Sequence, residues 1–380
     1  MVVRLRQLAT LLLPLAHGSI PRSPHYFMQL VDHFASPSEP EKLYRQRFYE
    51  IDEHFGGPGS PIICIIGGEG AVPPSEGIFY PWVGVELASR FHALVIQPEH
   101  RFYGTSNPAG PAPFDRLSLR LLTPQQALAD AATLILAKQN ENNCTAHGTQ
   151  NYCPVITVGG SYPGFLSAMM RLRYPAVVDM AYSASAPTLL YAQKVDHTAY
   201  YKKITESAAR SNPACPAAVR KATAAYLALG SKEATIAGLG LCTAKSSMPQ
   251  YIATGSLQTL QLAVNMLLMY SFADLNMENY PPNADSKLAK ACAALVEQPT
   301  VAGLKAFLLQ YAGVSEWARA EGSSQAPAVA TAMMAGQVSC YNLSTQLPAG
   351  HLPTIRWVTP VCILLSFGFS LRLSLLTHIM

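Results

Sequence analysis

Residues 155–164, VITVGGSYPG, constrain the fold of this chain more than any other segment. A β-branched apolar run leads into Gly159, Gly160 and Ser161, as expected for a buried parallel strand. Apolar residues at helical spacing follow over 165–174 and end before a proline. A serine at a tight strand-to-helix turn has a strained backbone, so its neighbours must be almost free of side chains, and the two glycines meet this need. The segment therefore predicts a nucleophile elbow that lifts Ser161 out of the sheet.

One position departs from the usual elbow pattern, which has glycine two residues after the serine. This chain has Pro163 there, followed by Gly164. Proline is compatible with the first turn of a helix because its φ is fixed near the helical value. An ordinary Gly-Ser-Pro turn is the alternative for these ten residues taken alone.

Seven further segments accompany the elbow in a fixed order. They are QLVDHF at 29–34, RQRFY at 45–49, IIGGEG at 65–70, EHRFYGTS at 99–106, QALAD at 126–130, RYP at 173–175 and SASAP at 183–187. Together they resemble the S28 family of serine carboxypeptidases, the group of lysosomal Pro-X carboxypeptidase, dipeptidyl peptidase II and thymus-specific serine protease. The resemblance extends from about residue 26 to about residue 345 and is dense up to Pro187. It implies an α/β-hydrolase core with an inserted helical cap.

The pattern of apolar residues predicts the same architecture independently. Apolar runs at 61–66, 93–97 and 155–158 alternate with helical patterns at 80–91, 123–140 and 165–174, which indicates a parallel sheet with helices on both faces. From about Tyr191 only helical patterns remain, with breaks at prolines 213, 249, 281–282 and 299. Together with the family resemblance, this pattern implies the first part of a hydrolase core over 19–190 and a helical cap over 191–345. A signal peptide over 1–18 and a divergent tail over 346–380 complete the expected organisation.

A serine hydroxyl is a poor nucleophile near neutral pH, so Ser161 needs a base and donors for the oxyanion. In this fold the residue after the nucleophile donates one backbone N–H, here that of Tyr162, and a loop after an early strand donates another. The glycine-rich loop at 67–70 follows such a strand, so Gly68 is the second expected donor. Glu69 is expected to hold that loop in place, and the Glu99-His100-Arg101 motif to brace the floor of the site.

The acid and the base of a catalytic triad are not identified by the sequence. In this fold they follow the serine, and the resemblance implies an Asp-Pro-Trp-like turn and a His-rich segment, neither of which occurs here. The later histidines are His197, His351 and His378, and none stands in a family-like context. The expected function is a serine exopeptidase that cleaves next to proline, either a carboxypeptidase or a dipeptidyl peptidase, through an acyl-enzyme on Ser161. The alternative is a truncated, non-catalytic family member that lacks the triad Asp and His.

Composition indicates a secreted or lysosomal (or vacuolar) globular protein. Residues 4–18 combine arginines, an apolar stretch and small residues, as in a signal peptide. Asn143 and Asn342 begin glycosylation sequons. A net charge of +4 without a basic run argues against nucleic acid as a partner, and no Cys or His pair has zinc-ligand spacing, so neither a metal nor a cofactor is expected. The expected partner is a peptide substrate, and a homodimer is left open.

The eight cysteines suit an oxidising compartment. Cys64 lies in an apolar run and is expected to be a buried thiol, while Cys144 and Cys153 flank a polar loop that they could close. Family resemblance suggests that Cys242 pairs with Cys340. The apolar tail is best interpreted as non-family sequence; membrane contact through 358–376 is the less favoured alternative, because this stretch is short for a span and contains Arg372.

Overall fold

A computed structural model of the chain describes residues 23–72, 77–80, 82–110, 116–144, 147–196, 198–243 and 250–312. The chain divides into two compact units, Met1–Ala186 and Pro187–Met380. Among the described residues, the strands belong to the first unit and the elements of the second unit are helices.

A six-stranded mixed sheet forms the centre of the first unit. Its strands are β1 (His25–Leu30), β2 (Leu43–Ile51), β3 (Ile62–Ile65), β4 (Leu94–Pro98), β5 (Val155–Gly160) and β6 (Met180–Ala184), in the order β1-β2-β4-β3-β5-β6. Strands β4, β3, β5 and β6 are parallel, as expected, and include all three strands that the sequence predicted. The sheet is not parallel throughout, because β1 pairs antiparallel with β2 and β2 antiparallel with β4.

Helices cover both faces of the parallel strands. They are a π-helical turn at Val83–Leu87, α1 (Ala88–Phe91), α2 (Arg116–Leu119), α3 (Pro124–Glu141) and α4 (Tyr162–Arg173). The side chains of Ile62 and Cys64 pack with apolar residues of α3 and α4, whereas Ile63 and Ile65 pack on the opposite face. Strands buried on both faces are continuously apolar, which explains why β3 and β4 were recognisable in the sequence.

The described residues of the second unit form helices around an apolar core of their own. They are α5 (Thr188–Tyr191), α6 (Ala199–Ser211), α7 (Cys215–Leu227), α8 (Lys232–Leu239), α9 (Gln250–Ala253), α10 (Leu257–Met277), α11 (Lys287–Glu297) and α12 (Val301–Tyr311). Ser231, Ser256, Ser286 and Thr300 cap α8, α10, α11 and α12, each accepting a backbone N–H three residues later. Such caps satisfy a donor that the helix leaves unpaired, so they fix where these helices begin.

The cysteines agree with the expectations that the described residues test. Cys144 and Cys153 form a disulfide, and Cys64 is a buried free thiol. A second disulfide, which the sequence did not predict, joins Cys215 of α7 to Cys292 of α11. Cys242 is also disulfide-bonded, but its expected partner, Cys340, lies outside the described residues.

Within the described ranges, no helix is both long and apolar enough to cross a bilayer. The predicted signal peptide at 1–18 and the tail at 346–380, including 358–376, lie outside those ranges.

Candidate functional site

Ser161 occupies the turn between β5 and α4, as the sequence predicted. Its backbone angles are φ 60° and ψ −127°, a region that costs a residue with a side chain about 1–3 kcal/mol. The Ser161 N–H donates to the carbonyl of Ala184 in β6 at 2.9 Å, and the Ser161 carbonyl accepts the N–H of Phe165 at 3.1 Å. The serine is exposed at the carboxyl end of a parallel strand, where α/β folds place their ligand sites.

Three glycines around the serine are required by close contacts. A Cβ on Gly159 would overlap the carbonyl of Pro163, and one on Gly164 would lie 2.6 Å from the carbonyl oxygen of Ala184. A Cβ on Gly160 would lie 2.8 Å from the hydroxyl of Tyr80. Pro163 is buried in the first turn of α4, so the proline that departs from the usual pattern is accommodated there.

The glycine-rich loop after β3 contacts the start of α4. A Cβ on Gly68 would lie 2.7 Å from Cγ of Pro163, and one on Gly67 would overlap the backbone that leads from β4 to His100. Tyr162 is the first residue of α4, where backbone N–H groups point out of the helix end. The structure therefore brings the Gly68 loop against the turn that holds Ser161 and Tyr162.

His100 lies beneath this turn and hydrogen-bonds to the residue after the serine. Its Nδ1 lies 2.8 Å from the carbonyl oxygen of Arg101, which only accepts, so Nδ1 carries the proton. Its Nε2 therefore accepts the hydroxyl proton of Tyr162, at 3.1 Å. Burial lowers the pKa of His100 to about 4, because a buried imidazolium loses its hydration. His100 is thus a neutral support for the Tyr162 side chain.

Glu99 is fully buried, and its carboxylate connects β2 to two loops. One carboxylate oxygen pairs with the guanidinium of Arg47 and accepts the N–H of Val72 at 3.0 Å. The other accepts the Ser106 hydroxyl at 2.7 Å and the Thr105 N–H at 3.0 Å. A buried carboxylate with this many donors holds the surrounding loops together.

Arg101 forms a two-pronged ion pair with Asp130 of α3, at 2.7 Å for each of the two contacts. The same carboxylate contacts His33 Nε2 at 2.8 Å and accepts the Tyr44 hydroxyl at 3.0 Å. These residues come from four of the segments that resemble the family or adjoin them. The network ties β1, β2 and α3 to the loop that carries His100.

Tyr80 is a residue of the site that the sequence did not reveal, since it appeared only as the first position of a helical pattern. It has a φ of 55°, and its carbonyl accepts the N–H of Val83 at 2.8 Å. Its hydroxyl faces Gly160. Burial raises the pKa of Tyr80, the backbone N–H of Gly160 lowers it, and the charge of Glu69 raises it.

No histidine among the described residues hydrogen-bonds to the Ser161 hydroxyl. His100 is directed to Tyr162 instead, while His197, His351 and His378 lie outside the described ranges. Within those ranges the structure therefore provides the strand-to-helix turn at Ser161 without a histidine partner for its hydroxyl.

The predicted glycosylation positions are only partly within the described residues. Asn143 is exposed just after α3, with a φ of 55°, and immediately precedes Cys144 of the Cys144–Cys153 disulfide. Asn342 lies outside the described residues.

Comparison with known proteins identifies relatives. The family described as "Serine carboxypeptidase S28" matches residues 29–298. Lysosomal Pro-X carboxypeptidase of Pongo abelii is 35% identical over 224 residues, which cover 57% of this chain and 43% of the relative. Thymus-specific serine protease of Mus musculus is 35% identical over 190 residues, covering 50% of this chain and 34% of the relative.

The chain thus spans less than half the length of these two relatives. Among solved structures, a thioesterase domain from the curacin biosynthetic pathway matches 43% of this chain and 45% of its own, with a TM-score of 0.27 and 13% identity.

Proposed function

Because the chain belongs to the serine carboxypeptidase S28 family, we propose that it is a serine exopeptidase that cleaves peptides next to proline, with Ser161 as its nucleophile. The observation that carries this proposal is the strained turn at Ser161, an exposed residue whose following helix begins against the Gly68 loop. The names of the relatives support the class of reaction, which is hydrolysis of a peptide bond.

The proposed mechanism is nucleophilic catalysis by the hydroxyl of Ser161. A base removes the hydroxyl proton of Ser161 as its Oγ attacks the substrate carbonyl carbon, and the carbonyl oxygen takes up the negative charge. The backbone N–H groups of Tyr162 and Gly68 are the proposed donors to that oxyanion. Loss of one such donor typically lowers kcat by about 10²–10³. The amine leaves with a proton from the protonated base, and water then hydrolyses the acyl-enzyme.

His100 supports this arrangement without acting as the base. Its Nε2 is engaged by the Tyr162 hydroxyl, and its Nδ1 donates to a backbone carbonyl. Holding the Tyr162 ring restrains the residue whose N–H is the proposed oxyanion donor. The base and the acid of the reaction are not assigned to any described residue.

A second candidate function is a non-catalytic family member that binds peptides without cutting them. The observation that favours it is the lack of a histidine at the Ser161 hydroxyl within the described ranges. Without its base, a serine protease loses about 10⁶ in kcat, nearly as much as on removal of the whole triad.

We also propose a secreted or lysosomal location. Disulfides persist in oxidising compartments, and the structure contains Cys144–Cys153 and Cys215–Cys292. The word "lysosomal" stands in the name of one relative. N-terminal sequencing of material secreted from a eukaryotic host, together with glycan analysis at Asn143, tests this proposal. An unprocessed product retained in the cytosol would contradict it.

The activity is tested on the full chain with two kinds of measurement. Proline-containing peptides blocked at either terminus report turnover and distinguish carboxypeptidase from dipeptidyl peptidase action, because each needs one free end. A fluorophosphonate probe reports the reactivity of Ser161 directly. Ser161→Ala is the test variant, and Ser38→Ala, in an exposed loop, is the matched control.

The two candidates predict different results. Turnover and labelling that persist in Ser38→Ala and disappear in Ser161→Ala support the exopeptidase. A wild-type chain that binds these peptides but neither cleaves them nor reacts with the probe supports the non-catalytic member. Turnover that survives in Ser161→Ala would refute Ser161 as the nucleophile.

A further inference from the structure

The last peptide of β5 has a hydrogen-bond donor that the neighbouring strands do not accept. In a parallel sheet, successive N–H groups of a strand point to opposite neighbours. The N–H of Ser161 points toward β6, where it donates to Ala184, so the N–H of Gly160 points toward the β3 side. Strand β3 ends at Ile65, and its last link to β5 is the N–H of Ile66 to the carbonyl of Val158. The Gly160 N–H therefore lies beyond the ladder.

Tyr80 fills this position. Its hydroxyl oxygen lies 2.8 Å from the point where a Cβ of Gly160 would be. The backbone of Gly160 lowers the pKa of this hydroxyl, as a nearby N–H group does. Glycine is needed at position 160 because any side chain would displace this hydroxyl.

The segment that carries Tyr80 is fixed at several points. The N–H of Phe79 donates to the side chain of Gln97 in β4 at 2.8 Å, and Ile78 is fully buried. Tyr80 itself has a left-handed φ of 55°, and its carbonyl accepts the N–H of Val83 at the start of the following helical turn. Strained, over-determined backbone of this kind concentrates at functional sites.

We propose that Tyr80 is a positioning residue of the nucleophile turn: its hydroxyl oxygen accepts the N–H of Gly160 and so fixes the peptide that leads into Ser161. This inference rests on the proposed function in one respect, namely that Ser161 is the nucleophile whose reactivity depends on that peptide. Tyr80 acts through Gly160 and does not itself contact the substrate carbonyl carbon.

The test variant is Tyr80→Phe, which retains the packed ring and removes only the hydroxyl. Tyr182→Phe is the matched control, because Tyr182 is an exposed tyrosine on the neighbouring strand β6. Thermal unfolding of both variants verifies that the fold is kept.

The sequence offers a selective spectroscopic readout. Only three glycines directly follow another glycine, namely Gly57, Gly68 and Gly160. Labelling glycine with both ¹³C at the carbonyl and ¹⁵N at the amide, and selecting for that pair, therefore reduces the amide spectrum of the full chain to these three signals. Gly57 serves as an internal control, and Gly68 reports the neighbouring loop.

In Tyr80→Phe we expect one changed signal among the three, with hydrogen exchange at the Gly160 amide about tenfold faster, as loss of one hydrogen bond implies. Labelling of Ser161 by a fluorophosphonate should slow by a similar factor, whereas Tyr182→Phe should match the wild type in both measurements. A Gly160 signal and exchange rate unchanged in Tyr80→Phe would overturn the contact, whatever the labelling shows.

A changed Gly160 signal with wild-type labelling would overturn the positioning role. If the wild-type chain does not react with the probe, the proposed function fails, and the Gly160 signal alone then decides: a changed signal supports the contact and an unchanged one overturns it.

Discussion

Acidification should destabilise the first unit of this protein through one buried imidazole, that of His100. Burial lowers the pKa of His100 to about 4, from an ordinary value of 6.5. The unfolded chain therefore binds this proton more readily than the folded chain between these two values. The resulting stability is fully present above about pH 6.5, decreases as the pH falls, and is lost near pH 4.

The size of the effect follows from the shift. Each pKa unit corresponds to about 1.4 kcal/mol, so a shift of this size contributes roughly 3 kcal/mol to the free energy of unfolding at neutral pH. The physical cause is that a protonated His100 would lose hydration and turn a second N–H toward the Tyr162 hydroxyl that now donates to it.

Urea unfolding across this pH range measures the contribution, and the variant His100→Gln isolates it. Glutamine does not titrate, and its amide keeps one donor and one acceptor for the contacts to Arg101 and Tyr162. The wild type should lose roughly 3 kcal/mol more than this variant between about pH 7 and about pH 4. His147→Gln, a change at an exposed ring, should keep the wild-type loss because it retains His100. Equal losses in wild type and His100→Gln would refute the buried, neutral imidazole.

Three further predictions concern packing, crosslinks and the sheet edge. Gly164→Ala should destabilise the first unit by about 1–3 kcal/mol in urea unfolding, since the new Cβ would lie 2.6 Å from a strand carbonyl oxygen; wild-type stability would show that the turn can relax. Cys215→Ser should cost about 4.5 kcal/mol and Cys144→Ser about 2.5, because their disulfides close loops with separations of 77 and 9 residues. Equal costs in calorimetry would contradict the loop-entropy reasoning. Met180→Lys should reduce the light scattering of concentrated protein. Met180 is an exposed apolar residue on β6, and in the described part of the sheet β6 pairs with β5 alone, so it forms an edge strand. Unchanged scattering would mean that this edge does not mediate aggregation.

Local sequence signals determined the parts of the fold that depend on neighbouring residues. The apolar runs of β3 and β4 are recognisable because helices bury both faces of these strands. The turn at Ser161 follows from a glycine pair between a strand and a helix, since few other residues fit there. The helical pattern of the second unit was evident from its spacing, and the short loop between Cys144 and Cys153 made their pairing possible.

Contacts between distant residues were decided only by the tertiary structure. β2 has the sequence LYRQRFYEI, which carries too many charges to be recognised as a buried strand. It can be buried because Arg47 forms an ion pair with the buried carboxylate of Glu99. Arg101 and Asp130 stand in two separate motifs whose spacing says nothing about their pairing. The same holds for Cys215 and Cys292.

The candidate site also combines features that the sequence predicted with contacts that only the tertiary structure decided. The sequence alone predicted the strand-to-helix turn at Ser161, with Tyr162 at the start of α4, and the glycine-rich loop at Gly68. Each depends on a short segment with few allowed backbone conformations. The tertiary structure decided that the His100 imidazole accepts the Tyr162 hydroxyl and that Tyr80 faces Gly160. A hydroxyl or imidazole can bond to many partners, and only the folded backbone brings one of them within hydrogen-bond distance.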